Sequence, residues 1–404
     1  MPMTSRAGRG ARGRVLRWLV LVVALVASSW SSPWSGATRA AHGGAATRAA
    51  RGGPRPAVLG HRAPKGVAEL LAVSCGSPDR CWAVGSGNPV PRSPSGNPSV
   101  IVGTTDGGAT WAVQPDPLPT PSTLSSISCP DARHCMAVGY LAGAQLAGTA
   151  VTTSDGGRRW HTVTAPAGAT ELVGVGCRGA GRCLVLATDG SALWSATTLD
   201  FGSSWQRAGT LPAGFAGAGG VSCPDTATCL TAGYVPTGPG HGGGAIAVTT
   251  DGGASWQPAA VPTGTGLLHG VACTDDRTCV AVGTSSTTTS GIAPDKGTVV
   301  TSSGGLATFG VARAPSTIGD VFGVSCHRPA SCAAVGIAWT SASPPAPIAG
   351  VVTTLDGGSA WRTPRSRYVP SGLAGVDCPT ATSCIAVGGD VIARLTLPTP
   401  VPVR

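Results

Sequence analysis

The stretch Thr104-Thr105-Asp106-Gly107-Gly108-Ala109-Thr110-Trp111 decides how the rest of the chain is read. Asp-Gly-Gly is a turn. The short carboxylate accepts hydrogen bonds from backbone N–H groups just ahead of it, and the glycines can take positive φ without a Cβ clash. The tryptophan covers the turn with a large ring. Asp155, Asp200, Asp251 and Asp356 begin further copies, closed by Trp160, Trp205, Trp256 and Trp361, and a worn copy stands at Ser303. Between the turns lie cysteine pairs at a constant Cys-x5-Cys spacing. They are Cys75 and Cys81, Cys129 and Cys135, Cys177 and Cys183, Cys223 and Cys229, Cys273 and Cys279, Cys326 and Cys332, and Cys378 and Cys384. Their first members are 54, 48, 46, 50, 53 and 52 residues apart. A period of about 50 residues means stacked supersecondary units.

Each unit reads as four short strands, A to D. Strand A ends at the first cysteine, as in Glu69–Ser74, and strand B starts at the second, as in Cys81–Gly85. Strand C runs into the Asp-Gly-Gly turn, as in Ser99–Thr104, and strand D starts at its tryptophan. Short β-branched runs punctuated by Gly, Pro, Asp and Ser are antiparallel strands. Four-stranded units repeated radially make an all-β propeller, here with seven blades. The seventh unit stops at Pro398 with no turn and no strand D. The missing strand is expected at the other end of the chain. Leu59–Pro64 matches Val311–Pro315 in its distance to the next cysteine, since Pro64 and Pro315 each lie eleven residues before one. The segment from about Arg55 to Ala63 is therefore expected to pair with Val391–Thr396 and close the ring, which removes an open sheet edge.

Composition agrees with a turn-rich globular body: 61 Gly and 34 Pro, with 42% hydrophobic and 11% charged residues. The net charge of +10 is confined to one end. Residues 1–66 hold ten Arg, one Lys and no acid, whereas the rest holds 17 basic and 18 acidic side chains. The body is near neutral and lacks the basic footprint of a nucleic-acid binder. Fourteen paired cysteines point to disulfides in an oxidising compartment. Zinc is the rival reading, although zinc sites favour Cys-x2–4-Cys with further ligands nearby. Each local disulfide would contribute about 2 kcal/mol by closing its small loop.

Residues 1–14 are basic, and an apolar run from Trp18 to Ala27 follows. Ten residues suit a signal-peptide core better than a membrane span. Cleavage is expected near Ala27-Ser28-Ser29 or Ala40-Ala41, and a retained anchor is the alternative. The expected organisation is a signal peptide over 1–28, a flexible leader over 29–55, the propeller over 56–397 and a Pro-rich tail over 398–404.

Ser/Thr-x-Asp-x-Gly-x-Ser/Thr-Trp resembles the Asp-box, or BNR, motif of the sialidase-like propeller superfamily. Thr-Thr-Asp-Gly-Gly-x-Thr-Trp together with an Ala-Val-Gly strand is most similar in pattern to propellers of the photosystem II assembly and stability factor type. The resemblance covers about 56–397. It implies the fold, while the functions on that fold range from glycosidases to binding scaffolds. The cysteine pairs depart from the photosynthetic relatives and imply a secreted variant. For a sialidase the resemblance implies an Arg triad, an acid Asp and a Tyr–Glu nucleophile pair. This chain has two glutamates, Glu69 and Glu171, and three tyrosines, Tyr140, Tyr234 and Tyr368. Arg365-Ser366-Arg367-Tyr368 has no Glu partner in sequence. Asp189, Asp320 and Asp377 stay open as acids of a paired-carboxylate glycosidase. No Gly-x-Ser-x-Gly elbow, phosphate loop or metal motif is present. The chain is expected not to be an enzyme and to need no cofactor.

Antiparallel connectivity puts A–B and C–D turns on one face and B–C and D–A connections on the other. B–C loops are expected to be long in unit one (Ser86–Pro98), four (Val235–Gly244), five (Ser285–Lys296) and six (Trp339–Ala349). Length variation confined to one face marks a binding face. Glu69, Glu171 and Asp320 each lie six residues before a first cysteine, at the start of strand A, and His269 lies two positions deeper in its unit. They would line the channel mouth for a cation or polar ligand, or else be solvated strand starts. Tyr234 and Trp339 would stack on a sugar or pack against their own loops. The expected partner is a protein or a cell-surface glycan, with no nucleic acid and no membrane span unless the N-terminal segment is retained. A secreted glycoside hydrolase and an assembly factor for a membrane complex are the alternatives.

Overall fold

The computed structural model describes residues 57–89, 97–179, 181–239, 241–285, 296–302, 304–312, 317–327, 331–340, 346–366, 369 and 372–397. The expected signal peptide, leader and tail, the central parts of the loops in blades 1, 5 and 6, Ser303 and Tyr368 lie outside them.

Blade 1 shows how a repeat becomes a sheet. Val67–Cys75, Cys81–Gly87, Ser99–Thr104 and Ala112–Val113 pair in chain order as strands A to D. All the A–B, B–C and C–D pairings are antiparallel, and blades 2 to 5 repeat the order. The first strands of consecutive blades pack side by side around the axis, and Val67–Cys75 against Gly375–Thr380 completes the circle. The protein is a seven-bladed β-propeller.

Burial follows from this arrangement. Strand B lies between two neighbouring blades and is apolar on both sides: Cys81, Trp82, Ala83 and Val84 are all buried. In every blade but the fourth, where Ala218 and Val221 are half-buried, strand A buries the residues five and two before the cysteine. Leu70, Leu124, Leu172, Leu268, Val321 and Leu373 fill the first of these positions with no exposure. Each such side chain contributes about 1.5–3 kcal/mol. The core is consequently seven clusters, one at each joint between blades. Trp82, Val84 and Ile101 of blade 1 meet Leu124, Ile127 and Val151 of blade 2, for example.

All seven cysteine pairs are disulfides, and each joins the two strands of one A–B hairpin. Cys75 bonds Cys81 in blade 1, Cys129 bonds Cys135 in blade 2, and Cys177 bonds Cys183 in blade 3. Cys223 bonds Cys229 in blade 4, Cys273 bonds Cys279 in blade 5, Cys326 bonds Cys332 in blade 6, and Cys378 bonds Cys384 in blade 7. The Cα–Cα distances are 3.9–4.1 Å throughout. The pairing is local, as the repeat implies, and it leaves no thiolate to serve the zinc alternative. Within each bond the second cysteine is the deeper one. Cys81, Cys135, Cys183, Cys229, Cys279, Cys332 and Cys384 all stand first or second in the buried strand B and are at most 3% exposed.

The Asp-Gly-Gly turns behave as their chemistry requires. Asp106 accepts the Thr110 N–H at 2.9 Å and the Thr104 hydroxyl at 2.8 Å, and the Thr104 oxygen accepts the Gly108 N–H at 3.0 Å. Side-chain and backbone donors hold the Asp106 carboxyl well below the usual carboxylate range, and Asp251 and Asp200 are held at about 2 in the same way, although in blade 3 Phe201 takes the place of the first glycine at a φ of 58°. The second glycine of the turn has a further role. A Cβ on Gly108 would stand 2.6 Å from Ile385 of blade 7, and one on Gly253 2.7 Å from Leu184 of blade 3. Each turn thus packs on strand B of the preceding blade.

The ring closes as the repeat arithmetic predicts. Ala57–Arg62 pairs antiparallel with Val391–Thr396, from Ala57 opposite Thr396 to Arg62 opposite Val391. A further finding concerns blade 6. Its last segment bridges its own sheet at Thr353 and Arg362, then crosses to blade 7, where Arg365–Ser366 pairs parallel with Ala57 and Val58. Pro364, which has no N–H to give a ladder, stands at the departure. Blade 6 keeps a three-stranded sheet, blade 7 becomes five-stranded, and the closing strand is bonded along both edges.

Candidate functional site

The two faces of the ring follow from the pairing. Stapled hairpins and the Asp turns share one face, and in blades 1 to 4 they bond to each other within the blade. The carbonyls of Asp79, Arg133, Gly181 and Ala227 accept the N–H groups of Gly107, Gly156, Phe201 and Gly252 at 2.7–3.0 Å. The opposite face carries the variable B–C and D–A connections and the starts of the A strands.

The B–C connections of blades 4 and 6 differ from the expected loops. In blade 4 strands B and C run on as Cys229–Gly238 and His241–Thr249. This forms an exposed hairpin arm where a loop over Val235–Gly244 was expected. In blade 6 the pairing extends to Trp339 opposite Pro347. Glycine-rich and β-branched residues fit a twisted two-stranded arm as well as a loop, so local composition did not separate the two.

Glu69, Glu171 and Asp320 occupy equivalent positions six residues before the first cysteine: Glu69 and Glu171 lie within the first residues of strand A in blades 1 and 3, and Asp320 immediately precedes strand A in blade 6. No two of these blades are neighbours, so the acids are spread around the mouth. Glu171 is held in a mostly enclosed position. Burial alone pushes its carboxyl up to about 7, and no hydrogen bond or charge among the described residues offsets that. Glu69 is raised for the same reason. The Asp320 carbonyl accepts the Ile337 N–H at 2.8 Å, which ties the strand start to its own blade. His269, deeper in blade 5, lies 5.5 Å from the Phe322 ring of blade 6, and burial lowers it to about 4, so it is neutral at pH 7. The mouth therefore carries scattered carboxyls, and blade 5 holds a neutral imidazole against the Phe322 ring. Near neutral pH Glu171 can both donate and accept a hydrogen bond.

Tyr234 does not stand free. Its backbone exchanges hydrogen bonds with Ala216 at 2.8 and 3.0 Å, and its ring lies against Gly217 and Gly242, where a Cβ on Gly242 would come within 2.7 Å. It packs on its own blade. Trp339 is half-buried at the end of a strand. Among the described residues no group of three or more His, Cys, Asp or Glu is placed to hold a metal ion. Asp189 shapes the short B–C turn of blade 3 by accepting the Ser191 and Ala192 N–H groups at 2.9 and 3.1 Å.

Sequence reading missed one set of residues, those immediately before each first cysteine. Ser74, Ser128, Ser222 and Ser325 accept the N–H of the first cysteine in the next blade at 2.9–3.0 Å. Asp377 takes the place of serine in blade 7 and accepts the Cys75 N–H at 2.6 Å. Gly176 and Ala272 occupy the position in blades 3 and 5. The recurrence of serine there is visible once the repeats are stacked, but the partner lies in another blade and about 50 residues away.

No protein-family model matches the chain, and no curated protein matches it. Solved structures do. YCF48 bound to D1 peptide is 16% identical at a TM-score of 0.55, covering 85% of this chain and 97% of that one. YCF48 from Cyanidioschyzon merolae is 15% identical at 0.55, covering 83% and 98%. A streptogramin B lyase is 9% identical at 0.52, covering 85% and 98%. At these identities the likeness is one of fold, shared by a peptide-bound protein and a lyase: the chain has a seven-bladed propeller of the shape those proteins have.

Proposed function

We propose that the chain is a non-catalytic binding module, secreted or held at the cell surface, that takes an extended segment of another protein at the mouth of its variable face. The observation that carries this is Glu171, a mostly enclosed carboxyl at the mouth with no partner among the described residues. Leaving such a group unsatisfied is costly, and a polar partner arriving from outside would repay that cost. Two further points support a protein partner. A propeller of the same shape has been solved with a peptide bound. The two loop aromatics best suited to stack on a sugar are half-buried, and Tyr234 packs on its own blade. An assembly factor for a membrane complex is one form of this reading.

A secreted glycoside hydrolase is the second reading, and Glu171 also favours it, since a carboxyl titrating near 7 is suited to be a general acid. It requires a second carboxylate facing the first across the substrate. The test uses oxidised protein spanning residues 56–404, its E69Q/E171Q/D320N variant, a peptide library and a glycan array read for both binding and product release. Peptide capture lost in the triple variant supports the binding module. Undiminished capture would reject this site, and sugar release lost in E171Q would make the chain a hydrolase.

A further inference from the structure

Strand A carries the same irregularity in five blades. Its pairing with strand B skips Leu71, Ser125, Val173, His269 and Phe322, each four residues before a first cysteine. Each is a β-bulge, which adds one residue to the strand and re-aims its side chain. The residue after the bulge is confined by the next blade. A Cβ on Gly270 would stand 2.8 Å from the Phe322 carbonyl oxygen, and one on Gly323 2.7 Å from that of Ala374. Four of the bulged residues are leucine, valine, histidine and phenylalanine, which have no room against such a backbone and turn away from it. Strand A is the innermost strand of each blade, and all five bulged residues are half-buried. They look over the axis, two residues further along the strand than Glu69, Glu171 and Asp320. Blades 4 and 7 have Gly219 and Ala374 at this position, which leave the layer open on their sides.

The layer is apolar at Leu71, Val173 and Phe322 and holds one polar ring. The His269 imidazole lies deep in the ring of blades, meets the Phe322 ring at 5.5 Å and makes no hydrogen bond among the described residues. It has a donor or an acceptor to offer at each nitrogen, and leaving these unused is costly. An incoming ligand would supply the partner. Charge complementarity narrows its chemistry: the residues six and four before the first cysteines include three acids and no Lys or Arg. We propose, building on the peptide-binding reading above, that the bulge layer is a well for a bulky apolar side chain of the bound segment, with a basic residue beside it meeting the acidic rim. The apolar side chain displaces water from Leu71, Val173 and Phe322. The backbone of an extended segment brings an N–H and a C=O within reach of His269, and Glu69, Glu171 and Asp320 attract the neighbouring cation.

The experiment measures the binding of labelled peptides of the form Gly-Lys-X-Lys-Gly to the oxidised protein by fluorescence anisotropy, with X either Phe or Ala. The Phe peptide is expected to bind about tenfold more tightly than the Ala peptide. In L71A and F322A that preference should fall to about threefold or less. A merely structural loss would weaken both peptides alike and keep the preference, and that result would overturn the well. The E69Q/E171Q/D320N variant should weaken both peptides and keep the preference. Exchanging both lysines of the peptide for glutamate should abolish capture, and undiminished capture would overturn the proposal. Equal binding of the Phe and Ala peptides by wild type would overturn the well and leave the peptide-binding reading standing. Binding of neither would overturn both. Should F322A fail to fold, V173A takes its place, since it trims the same layer by less.

Discussion

At one end of the ring the Asp turns of blades 1 to 4 bond the stapled hairpins of their own blades, and the turns pack on the blade before them. At the other end the connections change from blade to blade, from the short turn around Asp189 to the exposed arm of blade 4. The first face satisfies its own polar groups: the aspartates are saturated by N–H and hydroxyl donors and held ionised. The second leaves Glu69 and Glu171 raised by burial with no offsetting partner among the described residues. Stability is concentrated where the repeat is regular, and unsatisfied chemistry where it is not. A scaffold stapled at one end can tolerate that at the other.

The comparison can be broken hardest at the stapled face. Reduction of all seven disulfides removes about 2 kcal/mol each on the chain-entropy model, and the ring is expected to lose cooperative unfolding at ambient temperature, followed by circular dichroism with and without reductant. The closing strand runs from one face to the other, and its loss ranks next. Deleting residues 57–63 strips the pairing from Val391–Thr396 and is expected to lower the thermal midpoint by on the order of 10 °C; an unchanged midpoint would mean that the ring is held elsewhere. A single atom tests the joint between face and core. G253A forces a Cβ onto Leu184 at a positive φ of 95° and should cost about 1–3 kcal/mol in denaturant unfolding.

At the variable face the expected effects are smaller and depend on pH. Glu171 titrates at about 7 in the folded protein against 4.5 ordinarily, so the stability it contributes is complete below 4.5 and lost as pH rises through 7. E171Q should raise the midpoint by a few degrees at pH 8 and leave it unchanged at pH 4. Smallest of all, shortening the blade 4 arm by replacing residues 237–241 with a two-residue turn should shift the midpoint by about 1 °C or less. A larger loss would show that the arm belongs to the scaffold.

Much of the architecture was legible in the chain itself, because local chemistry repeated at a fixed period carries it. Asp106 and its copies fix a turn through contacts within four residues, Cys75 and Cys81 staple a hairpin over six, and counting repeats located Ala57–Arg62 as the strand that completes blade 7. The positions of Glu69, Glu171 and Asp320 at strand starts were legible for the same reason. What tertiary structure decided lies between units. The serine and aspartate bonds that link blades, the crossing of Arg365–Ser366 to the closing strand, the extension of strands through Val235 and the burial that moves Glu171 to about 7 all depend on partners in another blade or on depth within the ring. A repeat sequence specifies its own turns and staples through neighbours in the chain. It acquires its joints and its unsatisfied carboxyls only when seven units meet around one axis.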